Sequence, residues 1–219
     1  MRYSVVGTSW ITEMFIHAAR KTKQAELVSV YSRNEETART FATKNSGKQV
    51  ITNWDELLAD ESEFVYIASP NKLHYEHVMD CIEKGKHVFC EKPMAYTKAQ
   101  AEAIFQAAQE KNVFVFEGYR HLFSPNYNVL KEALRKIGQV RGAILPYLQY
   151  SSRYDLFKEG TIANVFSRDF AGGALMDLGV YPVSMAIDLF GKPSEVKYSP
   201  VLLSNGIDGS GTLVLTYKD

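Results

Sequence analysis

Over its first 118 residues the chain alternates short runs of β-branched and aromatic residues with stretches of helical periodicity, and no other feature restricts its fold as much. Strand composition marks Tyr3–Val6, Leu27–Tyr31, Phe64–Ala68, His87–Cys90 and Val113–Phe116. Between the first two, Ile11, Met14, Phe15, Ala18 and Ala19 fall at i, i+3, i+4, i+7 and i+8 and predict a helix with one apolar stripe. Tyr75, Val78, Met79 and Ile82 predict a second helix, closed by Gly85. Thr97-Lys98-Ala99-Gln100 reads as a capping box opening a third, with Ile104, Ala107 and Ala108 on its inner face. This is the layout of parallel βαβ units, so residues 1–118 are expected to form a Rossmann-type doubly wound parallel sheet, an α/β dinucleotide-binding domain.

From residue 119 the rhythm changes. A helix with Leu130, Ala133, Leu134 and Ile137 on one face should stop at Gly138, followed by a long strand around Val140–Tyr150. An irregular stretch to Gly173 precedes a helix from about Ala174 to Phe190, closed by Gly191 and Pro193. Two further strands are expected near Glu195–Leu203 and Gly211–Tyr217, joined by the turn-forming Asn205–Gly209. Residues 119–219 thus read as an α+β domain with an open, mainly antiparallel sheet, for substrate binding and oligomerisation. Its last strand meets the end of the chain with nothing to pair it, so the sheet is expected to be incomplete and the chain a fragment.

Composition removes several function classes. The 25 Lys+Arg balance 25 Asp+Glu, with no long run of one sign, which leaves no electrostatic footprint for nucleic acid or an anionic membrane. Only Cys81 and Cys90 occur, outside any CxxC pair, so neither a disulfide framework nor a metal site is expected and a reducing, cytoplasmic setting fits. The opening Met1–Gly7 is strand-like, and no stretch reads as a signal peptide or membrane span.

Four segments carry chemistry. Gly7-Thr8-Ser9-Trp10-Ile11-Thr12 stands between the first strand and first helix, where a dinucleotide fold sets pyrophosphate on the helix N-terminus; only the first glycine of GxGxxG is present, and an ordinary capped turn is the bland alternative. After the second strand, Ser32-Arg33-Asn34 occupies the region where an acid would hold the ribose 2′-hydroxyl; a hydroxyl and a guanidinium suit a 2′-phosphate instead, and a solvated turn is the alternative. His87-Val88-Phe89-Cys90-Glu91-Lys92-Pro93 puts Lys92 at the carboxyl end of a parallel strand, where such sheets take ligands, against the bland reading of Glu91-Lys92 as a surface pair. In Gly172-Gly173-Ala174-Leu175-Met176-Asp177-Leu178-Gly179-Val180-Tyr181-Pro182, a helix would place Asp177 and Tyr181 on one face, the paired glycines would let a ligand approach, and Pro182 would kink the helix. A core tyrosine is the alternative there.

Together with Val65–His74 and Glu117–Pro125, these segments resemble the Gfo/Idh/MocA family of glucose-fructose oxidoreductases and inositol dehydrogenases, in particular the EKP of Glu91-Lys92-Pro93 followed by GGxxxDxGxY. The resemblance spans nearly the whole chain and implies a nicotinamide-dependent dehydrogenase or reductase of a sugar, polyol, dihydrodiol or similar hydroxyl or carbonyl compound. It makes Lys92 a substrate and nicotinamide neighbour, sets Asp177 and Tyr181 beside it as the catalytic pair, and lets Ser69, Pro70, Asn71 and His74 line the nicotinamide ribose. Tyr181 stands where most members have His, which points to a branch of the family. Leu122 stands where many have Arg. NADP(H) is the expected cofactor, with NAD(H) also admitted, and a homodimer or higher homo-oligomer the expected assembly. Two other activities known in the family are a non-catalytic nicotinamide sensor and a glycoside hydrolase that recycles bound nicotinamide. Keeping both Lys92 and Tyr181 argues for redox chemistry: a tyrosine with a pKa of ~10 is a poor base, and a nearby ammonium favours its phenolate and stabilises a developing alkoxide.

Overall fold

The computed structural model describes residues 1–218, which divide into two compact units, Met1–Gly118 and one beginning at Tyr119. The first runs β1 (Arg2–Val6), α1 (Trp10–Thr22), β2 (Glu26–Tyr31), α2 (Glu35–Lys44), β3 (Gln49–Ile51), α3 (Trp54–Ala59), β4 (Phe64–Ile67), α4 (Asn71–Glu83), β5 (His87–Cys90), α5 (Lys98–Lys111) and β6 (Val115–Glu117). All its strands pair in parallel in the order β3-β2-β1-β4-β5-β6, so the winding reverses between β1 and β4. A crevice at the carboxyl ends of two such strands is where doubly wound sheets take ligands.

The sheet separates two apolar clusters because side chains alternate along each strand. Val65 and Ile67 of β4 face a cluster with Leu57, Val78, Ile82 and Ile104, while Tyr66 between them faces one with Tyr3, Val5, Ile16 and Phe41. The stripe of α1 departs from expectation. Its buried positions are Thr12 and Ile16, flanked by Phe15, which stacks on Tyr66 at 3.8 Å, whereas Met14 is 53% exposed. Thr12, Phe15, Ile16 and Ala19 share a helical face too, and the size of Phe15 and Ile16 turns that face inward.

Sequence reading passed over α2, β3 and α3. Both helices carry asparagine caps that mark their starts: Asn34 Oδ1 accepts the Thr37 N–H at 2.9 Å, and Asn53 Oδ1 the Asp55 N–H at 2.8 Å. Acids follow each cap, Glu35-Glu36 and Asp55-Glu56, suiting the positive end of the helix dipole.

The second unit holds a 3-10 turn at Arg120–Phe123, α6 (Pro125–Lys136), α7 (Tyr154–Lys158), a π-helical turn at Leu175–Gly179 leading into α8 (Val180–Phe190), and an antiparallel hairpin of β7 (Glu195–Leu202) and β8 (Asp208–Thr216). The strand expected around Val140–Tyr150 is not formed: residues 141–150 join no ladder among the described residues, and Ile144 and Leu148 are 91% and 84% exposed. Strand composition yields a strand only where a neighbour completes the hydrogen bonds. The helix changes from π to α between Gly179 and Val180, directly before Pro182, whose missing N–H is thus met by a local change in the helical hydrogen-bond pattern. Contrary to the expectation that no stretch approaches a membrane span, Arg168–Phe190 has the length and apolar composition of one, although Asp177 lies at its middle.

Candidate functional site

Gly7 follows β1 with φ +99°, and a Cβ there would stand 2.5 Å from Ala68 O in the turn after β4. Only glycine lets the two turns meet so closely. Thr8, Ser9, Trp10 and Ile11 then enter α1, whose cap residue Ser9 makes no side-chain capping bond; Trp10 is 66% exposed. Ser69, Pro70 and Asn71 lead into α4, which likewise has no side-chain cap. By contrast α2, α3 and α5 are closed by Asn34, Asn53 and Thr97. The cap residues of the two helices beside the switch point, Ser9 and Pro70, thus do not cap their first-turn N–H groups, which suits an anion. At the end of β2, Ser32 Oγ accepts the Asn34 N–H at 3.3 Å, and Arg33 is exposed.

His74 is 1% exposed, with Nδ1 2.8 Å from Pro93 O and Nε2 2.7 Å from Ser69 O. A neutral ring donates to one of these carbonyls and only the cation donates to both; burial opposes the cation and holds the pKa below the ordinary histidine value. The ring thus straps the turn after β4 to the loop after β5, which gives it a positioning part. His77, one turn further along α4, meets Ser69 Oγ at 3.0 Å and stacks on Trp54 at 4.1 Å. Burial above all, with Arg33 acting in the same direction and Asp80 against it, pushes its pKa down to about 4.

The loop Glu91-Lys92-Pro93 is held at three points. The Tyr66 hydroxyl donates to Glu91 Oε1 at 2.7 Å, His74 meets Pro93 O, and Glu117 Oε1 accepts the Met94 N–H at 2.8 Å. Lys92 is half-buried at the centre of this loop. Cys90 beneath it is fully buried, and burial raises its thiol well above the usual range, as it raises that of Cys81 to about 12, so neither is a thiolate nucleophile.

In the second unit, Asp177 lies in the π-helical turn and Tyr181 at the start of α8. The Tyr181 ring meets His121 edge-on at 5.1 Å and Tyr147 at 5.3 Å. The glycines before them do not open onto a ligand. A Cβ on Gly172 would meet Val165 O at 2.5 Å, and one on Gly173, at φ +109°, would collide with the Asp208 carboxylate. Asp208 Oδ2 accepts the Leu175 N–H at 2.7 Å and the Tyr198 hydroxyl at 2.8 Å, so the hairpin caps the helix that carries Asp177.

The sequence pattern of GFO_IDH_MocA, an oxidoreductase family with an NAD-binding Rossmann fold, matches residues 1–119. The chain belongs to this family. Among GFO_IDH_MocA relatives, scyllo-inositol 2-dehydrogenase (NADP(+)) IolU of Bacillus subtilis is 42% identical over 99% of this chain and 66% of its own length. The oxidoreductase YgjR of Escherichia coli is 37% identical over all of this chain and 67% of its own length. The chain therefore spans about two thirds of these curated relatives. Its fold is also that of the WlbA dehydrogenase from Chromobacterium violaceum, solved with NADH and UDP-GlcNAcA: TM-score 0.84 at 21% identity, over 100% of this chain and 64% of that one.

The residues present fit a nicotinamide dinucleotide. Gly7 lets the turns after β1 and β4 come together, the two helices that follow start without a side-chain cap, so their first N–H groups suit a pyrophosphate, and exposed Arg33 offers charge at the end of β2. Sequence reasoning did not single out Tyr66, His77 and Glu117 in the first unit, or His121, Ser184 and Asp208 in the second. Glu117 and His121 lie inside the matched segment Glu117–Pro125, and that match was the available signal.

Proposed function

We propose that this chain carries the cofactor-binding and proton-transferring residues of an oxidoreductase that moves a hydride between NADP(H) and a hydroxyl or carbonyl carbon of a polyol, sugar or dihydrodiol. The observation that carries the reading is the loop Glu91-Lys92-Pro93, fixed at three points at the carboxyl end of β5, so that Lys92 is presented by a rigid scaffold. Residues 1–118 hold the dinucleotide, with Gly7, Thr8, Ser9, Trp10 and Ile11 at the pyrophosphate, Ser32 and Arg33 at the 2′-phosphate, and Ser69, Pro70, Asn71 and Glu91 on the nicotinamide side. The bound nicotinamide supplies the hydride acceptor or donor. Residues 119–219 receive the substrate. Tyr181 takes the hydroxyl proton in oxidation and returns it in reduction, Lys92 stabilises the oxyanion, and Asp177 orients the substrate hydroxyl. The name of the 42% identical relative supports both NADP and a polyol. Self-association and a cytoplasmic setting belong to the same reading, the latter supported by two unpaired, buried cysteines.

A screen of inositols, sugars and dihydrodiols with the full-length protein, read at the reduced-nicotinamide absorbance band with NADP+ and NAD+, tests the proposal. Cofactor reduction with a polyol or sugar is expected. Tight cofactor binding without turnover of any substrate would favour a sensor, and sugar release without added cofactor a hydrolase.

A further inference from the structure

His121 stands in the 3-10 turn before α6, and its ring lies edge-on to Tyr181 at 5.1 Å with an interplanar angle of 67°. Its Nε2 is 3.0 Å from Ser184 Oγ, and that hydroxyl lies 2.7 Å from Val180 O and 3.0 Å from Tyr181 O. A hydroxyl has one proton. Donated to either carbonyl, it leaves Ser184 Oγ only able to accept, so Nε2 of His121 carries the hydrogen. Nδ1 is then a bare lone pair, buried and without a partner among the described residues. A charged ring would instead bury an N–H donor at Nδ1 with nothing to receive it, and burial pushes the pKa down, outweighing the Tyr181 backbone carbonyl, which favours the cation.

The imidazole is therefore neutral, in one tautomer, and tied through Ser184 to the backbone that carries Tyr181. A phenylalanine would fill the same wall without an orphaned nitrogen; what it would lack is the tie. Tyr147 contacts the Tyr181 ring as well, at 5.3 Å. We infer that His121 is a positioning residue, locked to α8 through Ser184, which with Tyr147 holds the Tyr181 phenol in a single orientation for proton transfer. This rests on the proposed role of Tyr181.

The test uses His121→Phe and His121→Gln in the full chain, with thermal melting, NMR of Cζ-labelled tyrosine (the Tyr181 signal assigned by its loss in Tyr181→Phe), and kcat and KM on a substrate found by the screen. His121→Phe should melt no lower than wild type, yet shift or broaden the Tyr181 signal and lower kcat by about 10-fold or more with cofactor KM unchanged, since small misplacements of reacting groups cost that much. His121→Gln, whose amide N–H can reach Ser184, should restore part of both. An unmoved Tyr181 signal with normal kcat in His121→Phe would overturn the inference. So would losses that only track the folded fraction. Normal turnover in Tyr181→Phe would instead defeat the role given to Tyr181, while the NMR arm still decides whether His121 holds that ring.

Discussion

Tyr181 has no ionisable hydrogen-bonding substitute in phenylalanine, which keeps the ring against His121 and Tyr147 and loses only the phenolic oxygen. Tyr181→Phe should leave cofactor affinity nearly unchanged and lower turnover by about 10²-fold or more, as for loss of a general acid or base. The proposed role of Arg33 at a 2′-phosphate reads out in binding. Titration should give a lower dissociation constant for NADPH than for NADH, and Arg33→Ala should erase most of that difference; equal constants unaffected by the substitution would count against a 2′-phosphate site. Asp60 and Lys86 show what the scaffold beneath requires. Their side chains are 4% and 7% exposed and 2.9 Å apart, and Lys86 Nζ also donates to the Asp60 and Ser62 carbonyls. Burial pushes the Asp60 carboxyl up, but hydrogen bonds from Ser4, Ser62 and Lys86 outweigh it and hold the pKa below the ordinary value. A carboxyl whose folded pKa is depressed contributes stability that is complete above its unfolded value of about 3.9 and is lost as pH falls through the folded one. Denaturant melts from pH 7 downward should therefore lose stability more steeply below about pH 4 in wild type than in Asp60→Asn. Lys86→Met, which strands the buried carboxylate, should cost about 3–5 kcal/mol at neutral pH.

The helix carrying Asp177 and Tyr181 depends on an element distant in sequence. Asp208, at the start of β8, supplies the capping carboxylate at Leu175 N, and Asn205 Nδ2 donates to Phe166 O at 2.8 Å from the same turn. Asp208→Ala should cost about 1–2 kcal/mol, the range for a lost helix cap, and should lower kcat more than it raises cofactor KM. Gly173→Ala should act in the same direction by displacing that carboxylate, and the double variant should be less than additive because both changes break one contact. This contact also marks where sequence reading stopped. The GG before Asp177 was legible as a close-approach site, but what approaches is a carboxylate 35 positions away, which no local pattern encodes. The strands β1, β2, β4 and β5 were legible because they are short runs of β-branched and aromatic residues, interrupted only by Ser4 in β1 and Ser29 in β2, and Thr97 caps α5 as its box predicts, accepting the Gln100 N–H at 3.2 Å. The three-residue β3 and six-residue α3 were too short to show a period. Lys92 was legible from its place after β5; the side chains that fix its loop, Tyr66, His74 and Glu117, come from three other segments and only the fold assembles them.

At the scale of the molecule, the β7–β8 hairpin is an antiparallel pair that leaves apolar side chains exposed. Its ladder pairs Lys197 with Val214 and Val201 with Ser210, and on that face Val201 and Val214 are 62% and 53% exposed beside Ser199 and Thr212. Val196 and Leu202 on the opposite face are 59% and 57% exposed as well; a two-stranded hairpin is marginal alone, and exposed apolar residues on it are relieved by further strands or a second copy. Were a second copy to cover the face of Val201 and Val214, the simplest closed arrangement would be a two-fold dimer. Sedimentation of the full-length protein should therefore give a dimer or larger species. Val201→Lys combined with Val214→Lys, which sets two like charges on the open face without touching a buried side chain, should shift that species toward monomer while leaving the melting transition of the first unit in place. An unchanged sedimentation profile in the double lysine variant would mean that this face is not the interface, and a wild-type monomer over the whole accessible concentration range would rule out the assembly itself.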